Sequence, residues 1–418
     1  IRDRPILAAP IFLAAQTLPG IGLTHTVWLF NILTTAFTAG VLYAYGLALG
    51  YRARVAAVVA AIFGVSTIAW PYSRTFFREP LFTLFALLSA YLMLRIRKKL
   101  VAQEHPWLLI IPFGVAFAGA LFSKEASLLL VPSIVVEALP TRRITRRMVL
   151  VLVLLFAIGL FLLLVILNLD TWFDISIERW NLTTRIQQAR DNLDDMSAGL
   201  RGYMFSPARS MWVFSPILLL GLASWHTLIT TRRIRQLLVP LTMIVSFAVG
   251  YALVRGSESW YGGLGWGPRY LVPVTPFVAL WLLPLIDSVL QAGAATWKRL
   301  VVSLAILIST TAQVLAVSVP IHAYYERLAA QTPAIIPWNE GAWSIRWSPF
   351  YVYLELLGDQ PFDVAWRLTV GRTWVLPVLA TALATLSAAW LIWWIMHRDA
   401  HRNMFILTLG SLAVAGMI

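Results

Sequence analysis

Three ionisable side chains, Glu79, Lys124 and Arg269, stand directly beside long apolar runs, where a charge needs a reason. Insertion scales put its cost on the order of 2.5–3.5 kcal/mol at a helix centre, and less near a membrane surface. Arg74 and Arg78 crowd the first of them in the stretch Trp70-Pro-Tyr-Ser-Arg-Thr-Phe-Phe-Arg-Glu-Pro80. A guanidinium binds phosphate through two parallel hydrogen bonds, and an ammonium meets it as a compact point charge. Each residue also has a plainer explanation. Glu79 pairs locally with Arg74 or Arg78, or sits where a helix N-terminus favours a negative charge. Lys124 snorkels or pairs with Glu125, and Arg269 anchors a helix at an interface.

Aromatic residues gather near the same places. The loop Arg255-Gly-Ser-Glu-Ser-Trp-Tyr-Gly-Gly-Leu-Gly-Trp-Gly-Pro-Arg269 carries Trp260, Tyr261 and Trp266, and Tyr270 follows at once. Its glycines let a backbone approach a ligand or another helix closely. Such rings stack on a sugar or a lipid carrier, although interfacial belts are the commoner reason for tryptophan at a membrane surface.

The elements that must position these groups are membrane helices. Of the 418 residues 59% are hydrophobic and only 12% charged, with a mean hydropathy of +0.76, too little polar surface to coat a soluble globule. The apolar runs are continuous rather than alternating, so the expected fold class is an all-α polytopic membrane protein. Candidate spans fall at 26–48, 55–70, 80–95, 107–122, 126–139, 148–168, 211–229, 237–254, 269–289, 300–319, 373–395 and 404–418, a bundle of about 11–12 transmembrane helices. Between 107 and 139 the apolar character breaks at Ser123-Lys-Glu125. Either two short helices meet there with Lys124 at the outer surface, or one helix carries a buried break; topological parity favours the first.

Charge orients the bundle. If the spans alternate, one side collects 17 basic residues against four acidic ones, and the other 16 against 15. That asymmetry assigns the first side to the cytoplasm, and it explains the net charge of +14 without nucleic acid. Every elaborate loop (169–208, 255–268 and 320–372) then lies outside, with 1–25 as an outer interfacial segment containing the apolar 5–19. Function is expected at that outer face. The whole chain, 1–418, reads as a single transmembrane domain. There is no cysteine, so thiolate metal sites and disulfides are excluded. Within 169–208, Phe173, Ile177 and Trp180 recur at helical spacing, and Asn181-Leu-Thr183 has the form of a glycosylation acceptor. His322, Glu326 and Glu340 ligate a metal only if the fold gathers them.

Four groups of residues resemble one family. Trp70 to Phe82, Phe122-Ser-Lys-Glu-Ala-Ser127, the paired Phe205-Ser-Pro207 and Phe214-Ser-Pro216, and Trp266-Gly-Pro-Arg-Tyr-Leu-Val-Pro-Val-Thr-Pro276 are similar to bacterial lipid-carrier-dependent glycosyltransferases of the GT-C fold. These include glycosyltransferase family 39, protein O-mannosyltransferases and aminoarabinose transferases. The resemblance runs over most of the chain through segment order. It implies a GT-C-like bundle in a bacterial inner membrane. Such an enzyme passes a sugar from a polyprenyl-phosphate or diphosphate donor to a lipid, glycan or protein acceptor at the extracytoplasmic face. It matches Glu79 to the family's second acidic site, where a carboxylate orients an acceptor or holds a divalent cation. Lys124 matches a lysine facing the lipid phosphate, and Arg269, Arg78 and Arg74 join it as donor-phosphate ligands. Trp260, Tyr261, Trp266 and Tyr270 are then contacts for sugar or carrier. The family's first span and first-loop aspartate are expected to precede Ile1, and Asp3 does not take that place. Two other classes stay open: a catalytically silent GT-C relative serving as a subunit of a larger membrane assembly, and a transporter of lipid-linked sugars. The transporter predicts internal symmetry that the sequence does not display.

Overall fold

The computed structural model describes residues 10–13, 16, 23–139, 146–167 and 182–357. The expectations for Asp3, Phe173, Ile177, Trp180 and Asn181, and for the spans 373–395 and 404–418, lie outside the described residues. Of the segment 5–19 only 10–13 and 16 are described, and these are helical.

Helices occupy the expected positions: α1 (Leu23–Ala48), α2 (Ala53–Val65), α3 (Glu79–Val101), α4 (Trp107–Ser123), α5 (Val131–Ala138) and α6 (Arg146–Leu167). There follow α7 (Leu182–Asp191), α8 (Met196–Phe205), α9 (Ile234–Ser259), α10 (Leu282–Val289), α11 (Thr296–Ser318), α12 (Ile321–Ala329) and α13 (Pro349–Leu356). No strand occurs among the described residues. Polar side chains inside the apolar helices satisfy themselves locally. Thr34 and Thr38 donate to the carbonyls of Phe30 and Thr34 at 2.7 and 2.8 Å, and Thr83 donates to that of Glu79 at 2.6 Å. Leu108, Ile111, Leu150 and Phe161 are instead exposed at 90%, 73%, 64% and 62%, the apolar outer surface that a bilayer requires.

Among the described residues four helices are long and apolar enough to cross a membrane: α3, α9, α11 and the Trp28–Ala48 part of α1. A fifth forms if Arg269–Ala279 and α10, bent by 46°, are one span. Two of the expected spans, 373–395 and 404–418, lie outside the described residues, and several of the other apolar runs are shortened or broken, so length alone singles out fewer than were expected. The run 211–229 divides into Met211–Phe214, a 3-10 segment Pro216–Ser224 and Trp225–Thr230. Pro216 has no N–H to continue a helix, and Ser215 before it takes φ −143°.

The most enclosed of the four is α3, with 72% of its apolar window buried against 39% for α1. It packs on α1, α4 and α5 and on the 3-10 segment Arg269–Val274, while α9 packs on α5, α7 and α8. Glu79 and Pro80 open α3, and Lys98 and Lys99 close it, a charge order that suits the helix dipole. The chain reverses at Lys124, whose backbone is extended (φ −162°, ψ 137°). It then returns along α3 through the 3-10 segment Glu125–Leu130 and α5. Contacts establish the return: Lys124 touches Glu79 at the start of α3, and Glu137 touches Arg97 near its end. Two short helical segments are therefore correct for 107–139. Lys124, however, is enclosed rather than at a surface, with 4% exposure.

The two ends of the bundle are chemically distinct. One gathers Arg52 with Asp287, Arg97 with Glu137, Lys98 on the Ala48 carbonyl, Arg235 on the Leu139 carbonyl and Arg233 over Tyr51. These are the basic groups expected at the cytoplasmic side. Glu79, Lys124 and Arg269 meet at the other.

Candidate functional site

Glu79 is 1% exposed and lies at the first turn of α3. Its Oε1 accepts from Lys124 Nζ at 2.8 Å and from Arg269 Nε at 3.0 Å, partners 45 and 190 residues away along the chain. Neither Arg74 nor Arg78 is its partner. Arg74 donates to the Val317 carbonyl at 2.8 Å, and Arg78 donates to the Ser123 carbonyl and lies 3.8 Å from Glu125. The second carboxylate oxygen, Glu79 Oε2, is buried with no hydrogen-bond partner among the described residues. Such an oxygen costs free energy until something donates to it.

Aromatic rings floor the cluster. The Lys124 ammonium lies 5.4 Å from the centroids of both Tyr251 and Tyr270, which stack on each other at 4.2 Å with 5° between planes. Arg255 approaches the Tyr270 ring at 5.2 Å, and Arg269 lies 3.7 Å over Phe77. Burial pushes the Lys124 ammonium below its ordinary value, and Glu79 beside it works against that shift. Arg185 and Arg78 share Glu125, Arg185 at 3.4 Å. Within this group Lys124, Arg269, Arg255, Arg78 and Arg185 face two carboxylates, so the cluster is cationic and suited to an anion.

An apolar groove of about 270 Å³ opens onto it. Leu128, Leu129, Ile186, Gly250, Leu253 and Val254 line the groove, with Glu125, Tyr251, Arg185 and Arg255 along its wall. The structure thus sets a long apolar recess against a cluster of positive charges.

Of the predicted site residues, Glu79, Lys124, Arg269 and Tyr270 come together, with Arg78 beside them through Glu125. Trp260 does not join them. It is fully buried, edge-on to Tyr203 at 5.8 Å, and fills the space left by Gly202, where any Cβ would meet its ring. Trp266 packs among Phe214, Phe350 and Tyr353, and Tyr261 stacks on Trp338 at 5.9 Å. No group of three or more His, Asp or Glu side chains is placed to hold a metal among the described residues, so His322, Glu326 and Glu340 are not gathered. The neighbours of Glu79 are cations, a donor set that does not fit a divalent ion.

Sequence reasoning missed Arg209. It is 1% exposed, and it donates to the carbonyls of Gly265 and Gly267 at 2.5 and 3.1 Å and to Tyr325 Oη at 2.6 Å. Tyr325 in turn donates to the Gly263 carbonyl at 2.6 Å. Arg209 therefore ties down the glycine-rich loop two residues before Arg269. Gly267 turns there at φ +64° against the Phe214 ring, where a side chain is both strained and obstructed. The paired Phe-Ser-Pro motifs brace the same region: Ser206 donates to the Ala342 carbonyl at 2.5 Å, and Ser215 accepts from the Ile68 amide at 3.1 Å. The one available signal was an arginine lying between those two motifs.

A buried acid held by two cations, at the mouth of an apolar groove in a helical membrane bundle, describes an enzyme or carrier of amphiphilic anions. Residues 14–181 match the family model described as dolichyl-phosphate-mannose-protein mannosyltransferase. The match takes in Glu79 and Lys124 and covers less than half of the chain. No curated protein and no solved structure matches the chain.

Proposed function

We propose that this protein transfers a sugar from a polyprenyl-phosphate donor to a lipid, glycan or protein acceptor at the extracytoplasmic face of a bacterial inner membrane. The observation that carries the reading is the Glu79 group: one buried carboxylate oxygen neutralised by Lys124 and Arg269, the other left open. The prenyl chain lies in the groove lined by Leu128, Leu129, Ile186 and Leu253, and its phosphate meets Lys124, Arg269 and Arg255. As the bond between the sugar and the phosphate breaks, negative charge grows on the departing phosphate. Fixed cations in a dry site stabilise that charge without reorganising. Glu79 Oε2 accepts a hydrogen bond from the acceptor hydroxyl and orients its oxygen to bond the anomeric carbon of the sugar as the sugar–phosphate bond breaks, the hydroxyl proton leaving with the prenyl phosphate, while Oε1 holds the two cations in place. Face and organism class rest on the asymmetry of basic residues between the two ends and on the family resemblance.

The test is transfer from radiolabelled polyprenyl-phosphate sugars by the purified full-length protein, comparing wild type with Glu79→Ala, Lys124→Ala and Arg269→Ala. Loss of transfer in folded variants supports donor chemistry at this cluster. No transfer by wild type from any donor, together with stable copurification of partner subunits, replaces it with the structural-subunit reading.

A further inference from the structure

A second cavity, of about 100 Å³, shares no lining residue with the groove. It lies between the Trp70–Pro80 stretch, the glycine-rich loop and the end of α11, and its wall includes Tyr72, Thr75, Phe77, Gly265, Trp266 and Tyr353. Two of these carry polar hydrogens with nothing to receive them. Tyr72 Oη and Trp266 Nε1 are both buried and both lack a hydrogen-bond partner among the described residues, in residues 1% and 4% exposed. Other buried polar atoms among the described residues also lack a partner, Trp225 Nε1 and Trp260 Nε1 among them, but these two border one cavity.

The surroundings identify what satisfies them. The cavity touches the ion cluster, since Phe77 in its wall lies 3.7 Å beneath Arg269. Gly265 keeps it open: a Cβ there falls 2.5 Å from Tyr72 Oη and 3.6 Å from Arg269 Cβ. Burial pushes the Tyr72 phenol well above its ordinary value, so it remains a hydrogen donor. Aromatic faces joined to unfilled donors suit a ligand with an apolar face and a hydroxylated edge.

We infer that this cavity is a subsite for a pyranose ring, with Tyr72 and Trp266 donating to its hydroxyls. The inference rests on the glycosyltransferase reading above. The ring comes from the lipid-linked donor or from a glycan acceptor, and the chemistry of recognition is the same for both.

The test uses the full-length protein in a detergent without a sugar headgroup. Methyl glucoside, mannoside and galactoside are titrated by saturation-transfer NMR. A hexosyl-phosphoryl prenol is compared with the bare prenyl phosphate of equal chain length, and a labelled oligosaccharide acceptor is titrated in parallel. Tyr72→Phe removes an oxygen that has no partner in the fold, so Tm should hold. Gly265→Ala, a second variant, closes the same space from the opposite wall. The expected result is binding of at least one methyl glycoside, weakened about three- to tenfold by Tyr72→Phe, the worth of one hydrogen bond, and lost in Gly265→Ala. If the ring is the donor's, Tyr72→Phe also erases the preference for the glycosylated prenol. If it is the acceptor's, that preference stays and the oligosaccharide binds more weakly. Glycoside binding unchanged in both variants, or absent from wild type, overturns the subsite. Failure of the bare prenyl phosphate to bind overturns the carrier reading instead, because glycoside contact does not depend on it.

Discussion

Each end of the bundle buries a glutamate against basic side chains, and the two are built differently. At the end with the excess of basic residues, Glu137 is saturated. Its Oε1 accepts from Arg97 at 2.9 and 3.2 Å, and its Oε2 accepts from Tyr45 at 3.0 Å. At the opposite end Glu79 directs both cations to one oxygen and leaves the other without a donor. The surroundings differ too. Glu137 joins three helices, α1, α3 and α5, whereas Glu79 stands beside the groove and the cavity at the glycine-rich loop. A closed pair stabilises a fold; an open one has capacity left for a ligand. Burial and pairing are common to both glutamates; of the two, Glu79 alone keeps an unfilled oxygen.

The largest effect expected from this contrast is on catalysis. Glu79→Gln should lower transfer per folded molecule by about 10²-fold or more, on the scale of a lost transition-state contact, measured with a radiolabelled prenyl-phosphate sugar. Glu137→Gln should instead lower stability, since removing one partner of a buried pair costs about 3–5 kcal/mol. Its folded fraction should retain the wild-type rate. Equal loss of rate per folded molecule in the two variants would abolish the distinction.

Next comes Arg269→Lys, expected to reduce transfer about tenfold by losing the planar contact over Phe77 and the two-pronged hold on phosphate. Thermal unfolding should move little. Arg209→Met sharpens the comparison from a distance, because it frees the Gly265 and Gly267 carbonyls and with them the loop that carries Arg269. Its expected signature is a fall in kcat of about tenfold, the scale of a slightly misplaced catalytic group, with no rescue by Arg209→Lys. A rate unchanged in the folded Arg209→Met protein would show that the loop holds its place without that arginine. Tyr45→Phe removes one hydrogen bond to a carboxylate and should cost about 1.5–3 kcal/mol of stability, read from denaturant unfolding, with transfer intact. The smallest effect is that of EDTA, expected to leave transfer unchanged because cations, not carboxylates, surround Glu79.

Much of the site was legible as a set of anomalies. Glu79, Lys124 and Arg269 stood out because each is a charge beside an apolar run, and the structure joins those three. Their partners were not legible: the local choices, Arg74 or Arg78 for Glu79 and Glu125 for Lys124, gave way to pairings across 45 and 190 residues. Arg209 carried no anomaly, since an arginine in a polar loop costs nothing until tertiary packing encloses it. Trp260 misled for the opposite reason. An aromatic next to glycines suggests an open ligand surface, yet Gly202 on α8 is the glycine that matters, and it makes the hole the ring fills. The two-segment reading of 107–139 agrees with the structure, in which extended backbone at Lys124 (φ −162°, ψ 137°) turns the chain between α4 and the following 3-10 segment.

What the sequence determined alone is the partition between bilayer and water, together with the difference in charge between the two ends. Both are sums over local windows, in which each residue contributes its own transfer free energy or charge almost independently of the rest. Tertiary structure alone decided which charges meet, which carboxylate oxygen stays open and which aromatics face a cavity. Those outcomes depend on how α3, α4, α9 and the glycine-rich loop pack together, and burial is a property of that packing rather than of any residue.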